Sequence, residues 1–269
     1  MLTNYELAVS NIRTELKNYI QKSNLQSLIL GISGGIDSAL CAALAKPVCD
    51  ELNIPIIGRS ITISTNKPDE ISRAKNIGES YLSDFKDVNL TSTYDMMQLS
   101  VVEDVTTANK DEKSFKIRMG NIKARIRMIY LYELASKHKG MVLSTDNYTE
   151  FLLGFWTLHG DVGDYGMIQN LWKTEVYEMS RFLAKNNPDK KQAKALLDCV
   201  IATPTDGLGI TNSDLDQIQA ESYEQVDQIL IDFIQNKNKE FENHPVIQRN
   251  KASNFKRANP YNIPRNKII

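Results

Sequence analysis

The sequence predicts an α/β fold, a doubly wound parallel sheet with a helical C-terminal part. Over the first 150 residues, short apolar runs alternate with longer helical patterns, which is the order of strands and crossover helices in a parallel sheet. The first apolar run, residues 28–30, leads through a glycine-rich turn into helix-forming residues 39–45. Beyond residue 151 the strand pattern stops and helical patterns return. We therefore expect a single domain over 1–269, with an α/β core in 1–150, a mainly helical part in 151–250 and a tail in 251–269.

The elements are expected in a definite order along the chain. Apolar residues from Leu2 to Tyr19 recur at alternating steps of three and four, which predicts an amphipathic helix packed on the sheet. Pro68, with two acids after it, is typical of a helix start. The glycines and acids of residues 160–166 predict a mobile connection without a strand. The other predicted elements are strands at 28–30, 54–61, 85–90 and 140–144, helices at 96–105, 112–137, 174–185, 190–200 and 213–235, and an irregular basic tail from Asn250 that orders only on a surface or a ligand.

The composition narrows the class of protein. Among 269 residues, 32 lysines and arginines are balanced by 33 aspartates and glutamates, so the net charge is −1. Dedicated DNA- or RNA-binding proteins usually carry a basic excess, so no nucleic-acid partner is expected. There is no run of 18 apolar residues and no secretory signal, so we expect a cytoplasmic protein without a membrane partner. Cys41, Cys49 and Cys199 have neither a CxxC nor a zinc spacing, which favours small core residues.

A phosphate-binding turn is expected between the first strand and its helix. Gly31, Ser33, Gly34 and Gly35 let backbone amides approach an anion, and the helix directs its positive end to the same place. The turn lacks the Gly-Lys-Ser/Thr ending of the Walker loop, which disfavours a kinase or GTPase. Asp37, at the second helical position, is a carboxylate beside the expected phosphates. That placement is chemically reasonable if Mg²⁺ lies between the two.

The run Ser-Gly-Gly-Ile-Asp-Ser at residues 33–38 resembles the pyrophosphate loop of the ATP pyrophosphatases. In that group ATP is cut between its α and β phosphates, and the substrate becomes an adenylate. The loop alone leaves amide synthetases, GMP synthetases and tRNA-modifying enzymes open. Four further runs, in the family's order, resemble the ammonia-dependent NAD synthetases. They are Gly-Asn-x-Lys-Ala-Arg-x-Arg-Met at 120–128, Thr-Asp-x-x-x-Glu at 145–150, Leu-x-Lys-Thr-x-Val-Tyr-Glu at 171–178, and Pro-Thr-Asp-Gly-Leu at 204–208, where the family has Pro-Thr-Ala-Asp-Leu.

The resemblance implies an adenine nucleotide alpha hydrolase-like fold and an ATP-dependent carbon–nitrogen ligase. The carboxylate of deamido-NAD would attack ATP to give an adenylate and pyrophosphate, and ammonia would then displace AMP to give NAD. Mg²⁺ and a homodimer are implied as well. Glutamine-dependent enzymes need a cysteine nucleophile on a domain of its own, which is not expected in this chain, so ammonia is the expected nitrogen donor. Two alternatives are a tRNA-modifying adenylating enzyme, which would need a basic face or a sulfur-carrying cysteine pair, and a non-catalytic nucleotide sensor, which would need no second metal ligand.

The resemblance also implies roles for particular residues. Asp37 and Glu150 would hold Mg²⁺, although an acid at 150 also fits a helix N-terminus without a metal. Lys173 opens a helix, where the dipole disfavours a cation unless an anion such as phosphate binds there; a solvated lysine is the alternative. Catalytic roles fall to Asp37, Lys173 and Thr205. The implied ATP-binding residues are Gly31, Ile32, Ser33, Gly34, Gly35, Ile36, Asp37, Ser38, Arg59, Thr145, Lys173 and Thr205.

The expected deamido-NAD contacts include two departures from the family pattern. Many members have a lysine that touches the dinucleotide where this chain has Leu158, and His159 either replaces that polar contact or is a surface imidazole. The later family acid falls on Tyr165 by strict count, with Asp164 one place earlier. The basic tail resembles the family's closing segment, and its composition also fits an ordinary solvated end. The implied contacts are Arg125, Leu158, His159, Asp164, Tyr165, Phe255 and Lys256, while Arg127 is expected to be structural.

Overall fold

In the computed structural model of the protein, a parallel sheet carries the fold. The structure describes residues 1–64, 66–110, 112–202, 215 and 218–268. The strands of these residues are β1 (Ser27–Gly31), β2 (Ile56–Thr62), β3 (Asp84–Asn89), β4 (Gly140–Ser144) and β5 (Tyr165–Gly166). They lie in the order β3-β2-β1-β4-β5. The chain reverses its direction of travel across the sheet between β1 and β4, and in doubly wound sheets a ligand crevice forms at that point.

Helices cover both faces of the sheet. In chain order they are α1 (Tyr5–Lys22), α2 (Ile36–Leu52), α3 (Pro68–Tyr81), α4 (Thr91–Val101), α5 (Lys113–Lys137), α6 (Tyr148–Leu153), α7 (Lys173–Lys185), α8 (Lys190–Val200), α9 (Tyr223–Ile234), α10 (Pro245–Ala252) and α11 (Asn254–Arg257), with 3-10 turns at Lys239–Asn243 and Arg265–Lys267. In the described part of the chain, none of them is long and apolar enough to cross a membrane.

Successive residues of β1 face opposite layers of the protein. Leu28 and Leu30 belong to the core beneath α1, α2, α7 and α8. Ile29 packs on the other face, in a cluster with Leu134 and Ala135 of α5. Leu28, Ile29 and Leu30 are all completely buried, as expected for a central parallel strand with helices on both sides. The predicted doubly wound α/β fold is therefore confirmed.

Four predicted elements differ from the structure. The helix expected at 96–105 is α4 at Thr91–Val101, because the backbone turns extended at Val102 and ends the helix there. No strand was expected after residue 151, yet β5 pairs in parallel with β4, and a strand of two residues is too short to carry a pattern. The final part of the helix expected at 213–235 is a separate helix that begins at Tyr223. It begins there because Gln219 has a left-handed φ of 52° and Ser222 caps the new helix by accepting from the Gln225 amide. The tail expected to be irregular from Asn250 is helical in α10 and α11.

Pro47 lies inside α2, and a side chain from α1 compensates for it. Proline has no backbone N–H, so the carbonyl of Ala43, four residues earlier, loses its helical donor. The Arg13 guanidinium supplies a replacement: its Nη2 donates to the Ala43 oxygen at 3.2 Å and its Nε donates to the Leu44 oxygen at 3.3 Å. The contact joins α1 to the helix that begins at the phosphate-binding turn.

We expect Arg13→Met to lower the free energy of unfolding by about 1–2 kcal/mol, since a partly buried carbonyl loses its donor. In the Pro47→Ala background the cost should be smaller, because residue 47 regains an N–H for the Ala43 carbonyl. Urea unfolding of the four proteins in this double-mutant cycle measures the difference. An equal cost of Arg13→Met in both backgrounds would show that Arg13 does not serve the proline.

Candidate active site

The turn between β1 and α2 has the shape of an anion site. Gly34 has a φ of +82°, and a Cβ there would lie 2.2 Å from the Glu70 carbonyl oxygen, so only glycine fits. Gly35 is the N-cap of α2 and offers no side-chain acceptor, which leaves the first amides of the helix available to a ligand. The hydroxyls of Ser33 and Ser38 lie 3.2 Å apart, and that of Ser38 donates to the Gly35 carbonyl. These side-chain contacts hold the turn in shape.

A buried ion triad stands beside the turn. The Lys173 Nζ donates to Asp37 Oδ2 at 2.6 Å and to Glu150 Oε1 at 2.8 Å. Asp37 comes from the first turn of α2, Glu150 from α6 and Lys173 from the start of α7. Asn147, the N-cap of α6, donates its Nδ2 to Asp37 Oδ1 at 2.8 Å. The predicted meeting of Asp37 and Glu150 is therefore observed, with a lysine ammonium between them.

Lys173 is only 3% exposed, so its protonation state depends on burial and on the charges next to it. Burial alone lowers the pKa of a lysine, because the ammonium loses its water. Here the carboxylates of Asp37 and Glu150 outweigh burial, and the pKa of Lys173 is raised well above its ordinary value. The Tyr223 ring, with its centroid 5.3 Å from Nζ, covers the ammonium from the side of α9. Lys173 is therefore a charged group at any physiological pH.

A cavity of about 420 Å³ lies at the carboxyl ends of β1, β2 and β4. Most of the residues expected to bind ATP line it, which brings the predicted ATP site together in one place. Gly34 and Ser38 stand behind the lining residues and shape the turn. Thr205 and the run 203–208 lie outside the described residues. The lining members of the predicted set are Gly31, Ile32, Ser33, Gly35, Ile36, Asp37, Arg59, Thr145 and Lys173.

Arg59 is held deep in the wall of the cavity. It is 3% exposed, its Nη2 donates to Asp84 Oδ2 at 3.0 Å, and its Nη1 donates to the Gly58 carbonyl at 2.7 Å. The Arg59 guanidinium, through its hydrogen bonds, lowers the pKa of the Asp84 carboxyl. The Nε atom of Arg59 is buried without a hydrogen-bond partner. A buried donor beside an open cavity is available to a ligand acceptor.

The residues expected to contact deamido-NAD are spread over a wider surface. Among the described residues, Lys256 is the one of these seven that lines the cavity. Arg125 is exposed and donates its Nη2 to the Leu158 carbonyl at 3.2 Å. The His159 backbone has a φ of 54° and the residue is exposed. Phe255 is 63% exposed.

Asp164 and Tyr165 are oriented toward the sheet edge. Asp164 accepts from the Val142 amide at 3.0 Å and from the Tyr132 hydroxyl at 2.8 Å, so its carboxylate bonds to β4 just before β5 pairs with that strand. The Tyr165 ring packs against Tyr19 of α1, with centroids 4.8 Å apart. Neither residue lines the cavity in the described structure.

Lys256 reaches the cavity from the short helix α11. Its Nζ donates to the Gly154 carbonyl at 2.8 Å and to the Trp156 carbonyl, and it lies 5.3 Å from the centre of the Trp156 ring. Burial and the nearby Arg249 lower the pKa of Lys256. The Arg249 guanidinium covers the Phe155 ring at 4.4 Å. These two cations and two aromatic rings form one wall of the cavity.

Two residues that line the cavity, Asp146 and Arg127, were not expected to do so from the sequence. Asp146 is 8% exposed, and burial, followed by the charges of Asp161 and Glu150, raises the pKa of its carboxyl well above the ordinary range. Its position inside the Thr-Asp-x-x-x-Glu run was the available signal. Arg127, expected to be structural, donates to the Ile61 carbonyl and to Asn66 Oδ1, both at 3.3 Å, and also lines the cavity.

The fold and the site together define a class of protein. A parallel sheet in the order 3-2-1-4-5, a glycine-rich anion turn after its central strand and a lysine between two carboxylates are the features of an ATP-using enzyme of the pyrophosphate-loop type. The comparisons with known proteins agree. The NAD synthase family model matches residues 8–260, and the chain belongs to that family. The family predicted from the sequence is confirmed.

Individual relatives carry the name NH(3)-dependent NAD(+) synthetase. The NH(3)-dependent NAD(+) synthetase of Pyrococcus furiosus is 34% identical over 215 residues, 79% of this chain and 78% of that protein. The enzyme of the same name from Thermoplasma acidophilum is 32% identical over 267 residues, 97% of this chain and 99% of that protein.

Solved structures share the fold over nearly the whole chain. The NMN synthetase from Francisella tularensis superposes with a TM-score of 0.79 at 22% identity, covering 98% of this chain and all of that one. The NH3-dependent NAD synthetase from Campylobacter jejuni superposes with a TM-score of 0.71 at 22% identity, covering 97% of this chain and all of that one.

Proposed function

We propose that this protein joins ammonia to deamido-NAD with cleavage of ATP, forming NAD, AMP and pyrophosphate through an adenylate. One observation carries the proposal: the buried Lys173 ammonium lies between Asp37 and Glu150, beside the uncapped N-terminus of α2. A cation, two carboxylates and free backbone donors in one place are what cleavage of a magnesium-bound polyphosphate requires. The names of the relatives, NH(3)-dependent NAD(+) synthetase, support the same reaction.

The donor set suits Mg²⁺. Asp37 Oδ2 and Glu150 Oε1 lie 2.6 and 2.8 Å from the same nitrogen, so a cation already bridges two hard oxygen donors. The described residues contain no group of three His, Cys, Asp or Glu side chains that could hold a metal alone. Mg²⁺ commonly uses one or two carboxylates and completes its shell with phosphate and water. Bound there, it would offset the charge of the departing pyrophosphate.

In the first step, an oxygen of the nicotinate carboxylate attacks the α-phosphorus of ATP, and the bond to the bridging oxygen of pyrophosphate breaks. Amides at the start of α2 bind the phosphate oxygens, while Ser33 and Ser38 keep the turn in shape. The Lys173 ammonium would neutralise negative charge on the reacting phosphates, and Asp37 and Glu150 are the residues that would hold the metal. Thr145, at the end of β4, would contribute a hydroxyl to ATP.

In the second step, ammonia attacks the acyl carbon of the adenylate. The bond between that carbon and the phosphate oxygen breaks, and AMP leaves with the oxygen that came from the carboxylate. None of the three cysteines is a suitable covalent nucleophile, since Cys41, Cys49 and Cys199 are all buried. Burial raises the pKa of Cys49 and of Cys199 to about 12, so neither is a thiolate at neutral pH.

Lys256 and Trp156 are proposed to hold the nicotinate substrate on the wall opposite ATP. Lys256→Met should therefore raise the KM for deamido-NAD by about tenfold, because a charged contact to an anionic dinucleotide is lost, and should change the KM for ATP much less. Lys251→Met is a control, since Lys251 pairs with Glu242 on the exposed side of α10. Steady-state kinetics with each substrate varied in turn measures both constants. An equal rise in both would mean that Lys256 acts on the fold of the site as a whole.

A second candidate substrate is nicotinate mononucleotide. The dinucleotide contacts expected at Leu158, Asp164 and Tyr165 do not line the cavity, which favours a substrate without the adenylyl half. The same wall would receive the nicotinate ribotide in either case. The ratio of kcat/KM for the two substrates decides: a ratio above one for deamido-NAD supports the dinucleotide, and the reverse supports the mononucleotide.

A homodimer is proposed through α4 and α5, which pack against each other. Both helices carry exposed apolar side chains: Leu99 is 72% exposed, Met96 64% and Ile129 57%. Large apolar side chains left exposed on a folded protein can mark an interface when they form a patch, and the proposal takes these three as part of one. Sedimentation equilibrium measures the mass of the assembly directly.

Exchange of labelled pyrophosphate into ATP tests the adenylate. Exchange is expected when the enzyme, ATP, Mg²⁺ and deamido-NAD are mixed without ammonia, because the first step is then reversible and the second cannot follow. No exchange is expected when deamido-NAD is left out. Exchange that needs no nicotinate substrate, or turnover that yields ADP, would contradict the proposed reaction.

A further inference from the structure

A buried carboxylate on α9 contacts the chain next to two members of the ion triad. Asp227 is 1% exposed. Its Oδ1 accepts from the Thr149 hydroxyl at 2.5 Å, and its Oδ2 accepts from the Thr174 amide at 3.0 Å and from the Thr174 hydroxyl at 2.8 Å. Thr149 is the residue before Glu150, and Thr174 is the residue after Lys173. One carboxylate thus ties together the backbone segments that carry both groups.

The same contacts complete the N-terminus of α7. Its N-cap is Trp172, whose own side chain caps no amide. The first helical amide, that of Lys173, donates instead to the Thr149 hydroxyl at 2.9 Å, and the second, that of Thr174, donates to Asp227. Capping of this kind fixes the start of a helix and suits a negative charge. The start of α7 is where Lys173 leaves the backbone.

No lysine or arginine pairs with Asp227 among the described residues. A buried carboxylate without a cation is costly unless hydrogen bonds and a helix N-terminus stabilise it. Apolar residues surround it on α9, where Val226 and Leu230 are completely buried. A carboxylate in such surroundings is therefore held by its hydrogen bonds and not by a counter-ion. Its three hydrogen bonds all go to neighbours of the ion triad.

A second residue of α9 faces Lys173 directly. Tyr223 stands four residues before Asp227, hence on the same side of the helix, and its ring centroid is 5.3 Å from Lys173 Nζ. The helix therefore acts on Lys173 from two positions: Asp227 binds the adjacent Thr174, and the Tyr223 ring lies against the ammonium. This explains how a helix of the C-terminal part reaches the chemistry at the end of β1.

We propose that Asp227 is a positioning residue for the ATP site, which holds Glu150 and Lys173 in register through Thr149 and Thr174. The inference rests on the proposed function, because it takes Lys173 as the group that meets the phosphates. A displacement of about 1 Å at such a group costs on the order of 10²-fold in rate. Asp227→Asn keeps the shape but replaces one acceptor oxygen by an amide donor, so at least one of the three donors from Thr149 and Thr174 loses its acceptor.

The test compares Asp227→Asn with Ile229→Ala, a buried apolar change on the same helix that touches neither threonine link. Asp227→Asn is expected to lower kcat about 10- to 100-fold, with little change in the KM for deamido-NAD. Ile229→Ala is expected to lower the thermal midpoint at least as much and to leave kcat within about twofold. Loss of kcat in proportion to loss of thermal stability in both variants would overturn the assignment.

A cycle with Thr174→Val separates positioning from general damage. If Asp227 acts through Thr174, the double variant should be no slower than Asp227→Asn alone, since the link is already broken. Additive losses in kcat would overturn the proposed route. Binding of a non-cleavable α,β-methylene ATP analogue with Mg²⁺ keeps the test separate from the proposed function. If the wild type does not make NAD, weaker analogue binding by Asp227→Asn than by Ile229→Ala still supports positioning, and equal binding contradicts it.

Discussion

Replacing Lys173 by methionine is expected to lower kcat/KM for ATP by about 10³-fold. Methionine preserves the length of the side chain and removes the charge, so the developing negative charge on the α-phosphate loses its buried cation. The Asp37 and Glu150 carboxylates also lose the ammonium at 2.6 and 2.8 Å that separates them. Lys185→Met, at the exposed C-terminal end of α7, is the matched control and should leave the rate unchanged.

Lys173→Met should also change the affinity for Mg²⁺, which can be measured without turnover. In the wild type, the ammonium competes with a divalent cation for the two carboxylates, so Mg²⁺ should bind weakly without nucleotide. In Lys173→Met the competitor is gone and two like charges face each other, so titration calorimetry without ATP should detect tighter binding of Mg²⁺. A variant that retains a rate within tenfold of the wild type, or binds Mg²⁺ no more tightly, would contradict the role given to Lys173.

The pH dependence of Lys173 follows from its raised pKa. A group whose pKa is raised on folding contributes stability that is fully present below its unfolded pKa and lost only as the pH rises through the folded one. Lys173 should therefore remain charged throughout the neutral range. Activity that rises from neutral to mildly alkaline pH at low ammonium then reports the free ammonia concentration, because NH3 is the nucleophile.

Asp37→Asn is expected to lower turnover by about 10²-fold or more at saturating Mg²⁺, and Glu150→Gln should act in the same direction. Each change keeps the size of the side chain and removes one of two hard anionic donors. The fold should survive, because Asp37 keeps its contact with Asn147 and its side chain is 17% exposed. Steady-state rates, with thermal unfolding measured alongside, test this prediction.

Asp50→Asn is the control for the first variant, since Asp50 lies in the last turn of the same helix in an exposed ion pair with Lys46. The double variant of Asp37 and Glu150 should be less damaging than the product of the single effects, because both serve one cation. Near wild-type rates for both single variants would remove the shared-metal account.

The sequence predicts the centre of this fold well and its margins less well, for physical reasons. The centre of β1 is an apolar run because both faces of the strand are buried, and such a run is easy to recognise. β3 is an edge strand with no fully buried residue, so its pattern is weak. β5 has two residues and leaves no periodicity at all.

Part of the candidate site could likewise be predicted from the sequence, and part of it could not. Local motifs identify the turn at 31–38, Glu150 and Lys173, because each motif is a short run with its own backbone geometry. The lysine was expected on phosphate and the carboxylates on metal, whereas in the structure the lysine pairs with both carboxylates. The role of Asp227 could not be read from the sequence, because it depends on contacts with residues 53 and 78 positions away.

The most direct measurement of the central claim follows one oxygen atom. Deamido-NAD labelled with ¹⁸O in its nicotinate carboxylate is mixed with the enzyme, ATP, Mg²⁺ and ammonium, and the products are weighed by mass spectrometry; glutamine replaces ammonium in a parallel sample. The account predicts NAD, pyrophosphate and AMP that carries one ¹⁸O atom, with almost no product from glutamine. Formation of ADP, AMP without the label, or an equal rate with glutamine would contradict it.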